Sequence, residues 1–167
     1  MSGLFLVLLV LIGAEPAAAS AAGERRVDRS KEFSYELPGG WKILDPSRLP
    51  HDVVLLPEQE DGFKRNIVIA DQKGDSSLEA LKQIYEKDLA RLLKDFELVS
   101  SELVELPGKG QAVKIVHTNS MPGVPVRQVN YVIELGGKRY YIAGTTLKGD
   151  GARYDSQIEA FVISIQK

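Results

Sequence analysis

Residues 111–147, QAVKIVHTNSMPGVPVRQVNYVIELGGKRYYIAGTTL, contain the strongest structural signal in this chain. Apolar and polar residues alternate along three segments, which is the period of half-buried β-strands. Met121–Pro125 separates the first two segments, and Gly136-Gly137 joins the second to the third. A two-residue Gly-Gly loop between alternating segments is a strong hairpin signal, because both positions can adopt positive φ. Strands joined by turns this short run antiparallel.

Other segments extend this pattern towards both termini. Four of them have the composition of strands, and they are 33–37, 53–56, 66–70 and 98–106. A long helix is predicted before the last of these, with Ser76 or Ser77 as its N-cap and Glu79 as a capping-box partner of Ser76. Its apolar residues recur every three or four positions and form one stripe: Leu78, Leu81, Tyr85, Leu89, Leu92 and Phe96. Residues 154–165 predict a closing helix.

The order of these elements predicts the fold class. Strands come first, then one long helix, then a meander of about four strands, and finally a helix. We therefore expect an α+β fold: an antiparallel sheet of about six to seven strands with helices packed on it. No internal repeat or second domain is evident in the sequence.

The N-terminus predicts export. Leu4–Ile12 is an uninterrupted apolar run, too short for the roughly 20 residues that span a bilayer as a helix. Small residues follow this run, as they do at signal-peptidase sites. Cleavage before Ser20 and cleavage before Ala22 both fit. We expect a signal peptide over residues 1–21, a flexible leader over 22–31 and one domain over 32–167.

The composition narrows the functional classes. The chain has 21 Lys and Arg against 23 Asp and Glu, so it lacks the basic excess that is typical of nucleic-acid binders. It has no cysteine, which excludes thiol nucleophiles, disulfides and a cysteine-linked lipid anchor. We expect a periplasmic or extracellular protein that is not lipid-anchored, does not bind nucleic acid and does not span the membrane after cleavage.

Several motifs resemble those of the PsbP/Mog1/DcrB superfamily. The segment Phe33-Ser34-Tyr35-Glu36-Leu37-Pro38-Gly39-Gly40-Trp41 resembles the start of its domain. Asn66-Ile67-Val68 in an early strand, Ser77-Leu78-Glu79 at the helix start and Phe161-Val162-Ile163 near the end are also similar. The resemblance implies α/β/α layers, with Trp41 filling the core. Members of this superfamily are mostly binding or assembly factors, among them photosystem II accessory subunits and bacterial envelope proteins.

Two histidines are the candidates for chemistry. His51-Asp52, with Asp45 nearby, is either half of a metal site or a solvated loop, since imidazole and carboxylate together suit Zn or Mn. His117 lies on a predicted strand, where it is either a base or a buried, hydrogen-bonded histidine. The sequence places no Ser or Asp to complete a triad with it. We therefore predict no catalytic, metal or cofactor residues.

An aromatic and basic mixture on the last predicted hairpin is a candidate partner-binding face, because aromatic residues and Arg are enriched at interfaces. Its members are Arg127, Tyr131, Lys138, Arg139, Tyr140 and Tyr141. Ordinary cross-strand packing accounts for the same residues. We expect an exported, non-enzymatic binding or accessory protein that supports an envelope or membrane-associated assembly through an unidentified protein partner. The alternatives are a small-ligand or metal-binding envelope protein and a hydrolase that uses His117 or His51.

Overall fold

The computed structural model describes residues 23–44, 49–56 and 61–167. The predicted signal peptide, residues 1–21, and Asp45 lie outside these ranges. Within these ranges, nine strands and three helical segments follow one another in the order β1 Arg25–Val27, β2 Ser34–Glu36, β3 Lys42–Leu44, β4 Val53–Leu55, β5 Asn66–Gln72, α1 Leu78–Leu92, β6 Lys94–Leu106, β7 Gly110–Met121, β8 Val124–Leu135, β9 Lys138–Leu147, a 3₁₀ turn Lys148–Asp150 and α2 Asp155–Ser164. In this part of the chain, no helix is long and apolar enough to cross a membrane.

Seven strands form one antiparallel sheet in the order β3-β4-β5-β9-β8-β7-β6. The predicted meander forms one half of this sheet, where β6, β7, β8 and β9 each pair with the next strand in the chain. Strand β5 then pairs with β9, so the early strands complete the sheet on the other side. The α+β class and the antiparallel sheet are confirmed.

Helix α1 covers one face of the sheet. Its buried residues Leu81, Tyr85 and Leu89 pack on Val113, Ile115 and Val132, which are adjacent on β7 and β8. The Ser77 side chain accepts a hydrogen bond from the Ala80 amide at 3.2 Å, so Ser77 rather than Ser76 is the N-cap.

Helix α2 and the two-stranded sheet of β1 and β2 cover the opposite face. Ile158, Phe161 and Val162 of α2 join the larger core there. Trp41 is fully buried in this core and its indole N–H donates to Gln157 at 2.6 Å, which confirms its predicted core position. Helix, sheet and helix therefore make α/β/α layers.

Three elements differ from the sequence predictions. The predicted flexible leader over 22–31 is wrong for Arg25–Val27, because these residues form β1 and pair with β2. Strand β3 was not predicted. The long helix ends at Leu92, which is 47% exposed, and Phe96 belongs to β6. Leu93 is the C-cap and already has extended backbone, and Asp95, at φ +54°, lies at a register shift near the start of β6.

Gly144 of β9 lies directly under Ile158 of α2, with no room for a side chain. A Cβ at this position would lie 2.6 Å from the Cδ1 of Ile158, a side chain that is fully buried. We expect Gly144→Ala to lower the free energy of unfolding by about 1–3 kcal/mol, the usual cost of overpacking a core. Urea denaturation measures this. Gly149→Ala is the matched control, because nothing lies within 4 Å of its Cβ position. Equal stability of the two variants would contradict tight packing at Gly144.

Candidate functional site

A buried histidine lies between two carboxylates at the end of the sheet. His51, only 1% exposed, precedes β4 in the chain. Its Nδ1 lies 3.0 Å from an Asp28 oxygen and its Nε2 lies 3.2 Å from an Asp71 oxygen. The rings of Phe33 and Tyr140 pack around it, at centroid distances of 5.3 and 5.7 Å. The sequence prediction of a solvated loop here is therefore wrong.

The two carboxylates determine the protonation of His51. A neutral imidazole has one donor and one acceptor, so it can satisfy only one of two facing carboxylates. Burial opposes the charged form, but the hydrogen bonds to Asp28 and Asp71 outweigh burial and raise the pKa of His51 above its usual value. We conclude that His51 is an imidazolium that donates from both nitrogens.

Asp28 connects this histidine to the N-terminal segment. Burial opposes its charge, yet hydrogen bonds from His51 and from the amides of Asp52 and Ser30 lower its pKa overall. Asp52 lies beside it and accepts a hydrogen bond from the Tyr35 hydroxyl at 2.8 Å. Burial, opposed by the Tyr35 hydrogen bond and assisted by repulsion from Asp28, raises the pKa of Asp52. The two neighbouring acids thus have opposite pKa shifts.

Asp71 is the exposed end of this network. Its side chain is 49% exposed, whereas the side chains of Asp28 and His51 are almost completely buried. Asp71 lines an open groove of about 460 Å³. We call this the hairpin groove, and its lining is Asp71, Gln72, Lys73, Gly74, Glu134, Gly137, Lys138 and Arg139. The groove therefore reaches from the end of β5 to the Gly136-Gly137 turn.

Charges of both signs line the hairpin groove. Arg139 donates to Glu134 at 2.6 Å and to the carbonyl oxygen of Ser76, which fixes the guanidinium against the start of α1. Lys138 forms an ion pair with Glu32, and the Tyr140 hydroxyl donates to the same carboxylate at 2.9 Å. Lys73 is exposed. A polar partner can therefore meet several charged groups over a short distance.

The six residues of the predicted partner face do not share one exposed surface. Arg127, Tyr131, Lys138 and Tyr140 lie on the α2 side of the sheet, whereas Arg139 and Tyr141 lie on the α1 side. Tyr131 and Tyr140 are buried. Arg127 pairs with Asp155 of α2 through two hydrogen bonds of 3.1 and 2.7 Å. Of the six, Lys138 and Arg139 line the hairpin groove.

The second histidine, His117, lies on β7 and is not part of the His51 network. It is fully buried, and its Nε2 lies 2.9 Å from the side-chain nitrogen of Asn130. Burial lowers its pKa to about 4, so it is neutral near pH 7. The expectation of a buried, hydrogen-bonded histidine is confirmed.

A metal site was one of the alternatives for this protein, and the residues that the structure describes contain no set of ligands for it. Within residues 23–44, 49–56 and 61–167, no group of three His, Asp or Glu side chains is arranged to hold an ion. The carboxylates beside His51 illustrate the reason, because they bond to opposite nitrogens of one ring. A metal needs its ligands to converge on one point.

Comparisons with known proteins identify the fold. No protein-family model matches the chain, and no match was found among curated proteins. Three of the similar solved structures match this chain over most of their length. The solution structure of cyanobacterial PsbP (CyanoP) from Synechocystis sp. PCC 6803 has a TM-score of 0.61 at 14% identity and covers 93% of this chain and 98% of that one.

The second similar structure is LpqN, described as involved in cell envelope biogenesis of Mycobacterium tuberculosis. Its TM-score is 0.58 at 17% identity, with 91% of this chain and 88% of that chain covered. The third is PA94 from Pseudomonas aeruginosa, a protein of unknown function, with a TM-score of 0.55, 18% identity, and 81% and 91% covered. The chain therefore has a PsbP-like fold, as its sequence motifs predicted.

The ion pairs of His51 predict a pH-dependent stability. We expect His51→Gln to lower the free energy of unfolding by about 3–5 kcal/mol, because it leaves Asp28 buried without a counter-charge. A raised pKa stabilises the fold below the ordinary value of 6.5, and this contribution is lost as pH rises through the folded pKa. The difference between wild type and variant should therefore shrink with rising pH.

Urea denaturation of both proteins from about pH 5.5, below the ordinary histidine pKa, up to about pH 9 measures this difference. Asp71→Asn is the control, because it removes only the half-exposed partner and should cost about 1 kcal/mol or less. A His51→Gln effect that does not change with pH would contradict a charged His51.

Proposed function

We propose that this protein is an exported, non-enzymatic accessory protein that binds a component of a membrane-associated assembly in the cell envelope. The observation that carries the proposal is the hairpin groove, an open, charged surface coupled through Asp71 to a rigid buried network. A partner that contacts this groove meets side chains already held in place by ion pairs, so binding orders few new groups.

The chemistry of the two histidines supports a binding role. His51 donates from both ring nitrogens to carboxylates, so neither nitrogen has a lone pair for general-base catalysis. His117 is fully buried in the sheet, away from the hairpin groove. A hydrolase using either residue would need the ring to reach a substrate.

The PsbP-like fold supports the same role. CyanoP is a cyanobacterial PsbP, and LpqN is described as involved in cell envelope biogenesis. Both similarities are at the level of fold, so the partner of this protein has to be found by experiment. The apolar run Leu4–Ile12 and the small residues after it support export.

Capture from the native envelope tests the binding role. We expect the tagged full chain, expressed in its own host and crosslinked, to recover one partner in near-equal amount. Lys73→Glu reverses a charge in the hairpin groove and should lower recovery about tenfold, which corresponds to about 1.4 kcal/mol of binding free energy. Quantitative mass spectrometry measures the recovery.

Lys87→Glu is the matched control, because Lys87 is an exposed lysine of α1 outside the groove. It should bind as the wild type does. Absence of any crosslinked partner would rule out a stable accessory role. Equal recovery by all three proteins would show that the partner binds elsewhere.

N-terminal sequencing of the exported protein tests the leader. Small residues are needed at positions −3 and −1 of a signal-peptidase site. Ala17→Leu should block cleavage before Ser20 only, and Ala21→Leu should block cleavage before Ala22 only. The variant that stays uncleaved identifies the site. An intact N-terminus on the wild-type protein in the cytoplasm would contradict export.

A further inference from the structure

The last strand of the sheet, β6, has a free outer edge. It stands at the end of the strand order and, among the strands that the structure describes, it pairs only with β7. It is 13 residues long, whereas β3 at the opposite edge has three. In an antiparallel pair, the backbone groups of successive residues point alternately towards the partner strand and away from it. A long edge strand therefore presents a row of unpaired N–H and C=O groups that can pair with another strand.

The C-terminal half of this edge is regular. Register shifts interrupt the pairing with β7 in the segment before Ser100. From Ser100 to Leu106 the pairing continues without interruption. Bulges are one of the devices that keep an edge from pairing with other strands, so they protect the first half of β6 and leave the second half open. We call Ser100–Leu106 the free edge.

Apolar side chains at the free edge are incompletely covered on both faces of the sheet. Leu103 packs against the core under α1 and Val104 against the core under α2, and both are only partly buried. Just before the free edge, Leu98 is 44% exposed and Val99 is 51% exposed. A further strand beside β6 would cover this apolar surface, which is favourable in water.

The free edge is also acidic. It contains Glu102 and Glu105, both exposed, and it contains no Lys or Arg. Glu102 lies opposite Lys114 of β7, but the Lys114 ammonium donates to Glu159 at 2.7 Å. Neither glutamate of the free edge forms an ion pair with a side chain that the structure describes. Their charges are therefore available to a binding partner.

These charges decide which kind of strand fits. Like charges on neighbouring strands destabilise their pairing, so a second copy of the free edge is a poor partner for the first. We propose that the free edge binds an extended, basic segment of a partner protein, which adds a strand to the sheet beside β6. Backbone hydrogen bonds supply the affinity, and Glu102 and Glu105 select basic residues. This surface is independent of the hairpin groove, whose lining residues lie on other elements.

Backbone NMR spectra of the full chain, titrated with the peptide Thr-Lys-Val-Thr-Lys-Val-Thr, test the proposal. The two lysines are three residues apart, as Glu102 and Glu105 are. We expect saturable shifts of the backbone amides along the free edge. Replacing the central Val-Thr of the peptide by Pro-Pro should abolish these shifts at unchanged charge. Adjacent N–H groups of a strand point to opposite sides, so one of the two prolines removes a donor that faces β6.

The double variant Glu102→Lys, Glu105→Lys should weaken half-saturation at least tenfold, because it replaces attraction by repulsion. Asp75→Lys is the matched control, since Asp75 is an exposed acid outside β6, and it should titrate as the wild type does. Lys73→Glu, which changes the hairpin groove, should also leave the titration unchanged. The two binding surfaces are thereby tested separately.

Three results would overturn the proposal. One is the absence of saturable shifts on the free edge at millimolar peptide. Another is equal binding of the peptide that contains Pro-Pro, because attraction between charges alone would then explain the shifts. The third is a dimer in sedimentation that the double variant dissociates, because a second copy would then occupy the free edge.

Discussion

The hydrogen bonds that Asp28 makes tie the N-terminal segment to the sheet. One oxygen of Asp28 meets His51, and the other accepts from the Asp52 amide at 2.8 Å. His51 continues the connection to Asp71 on β5. A buried charge is tolerated only when it is paired and hydrogen-bonded, so each of these groups fixes the position of the next. The segment that carries Asp28 also brings Phe33 and Tyr35 onto the α2 face, where both join the core.

The fold was predictable where the pattern was long. The meander has strands of 10 to 13 residues with a clear period, and its turns contain glycine at positive φ. Strands β1 and β3 have three residues each, too few to show a period, and β1 begins with Arg25-Arg26. Their strand conformation depends on pairing with distant segments. The helix was predicted too long because Phe96 on β6 continues the apolar spacing of α1 and packs against the same core.

The candidate site was only partly predictable. His51 could be nominated from sequence, but its partners Asp28 and Asp71 lie 23 and 20 residues away, and nothing in their local sequence marks them. The partner face failed to form one surface for a different reason. Successive residues of a strand point to opposite faces, so Arg139 and Tyr140 are separated by the sheet. The two-residue period of a strand was visible in the sequence, and it could have assigned the six residues to two opposite faces of the sheet.

The pKa shifts of the two histidines make the stability of this fold depend on pH in opposite directions. His117 has its pKa lowered to about 4, so its contribution to stability is complete above 6.5 and is lost as pH falls towards 4. His51 has a raised pKa, so its contribution is complete below 6.5 and is lost as pH rises through the folded value. These two sites belong to different faces of one sheet, and the fold is stabilised by both only near neutral pH. The balance between a charged His51 and a neutral His117 therefore links the stability of this domain to the pH of its surroundings.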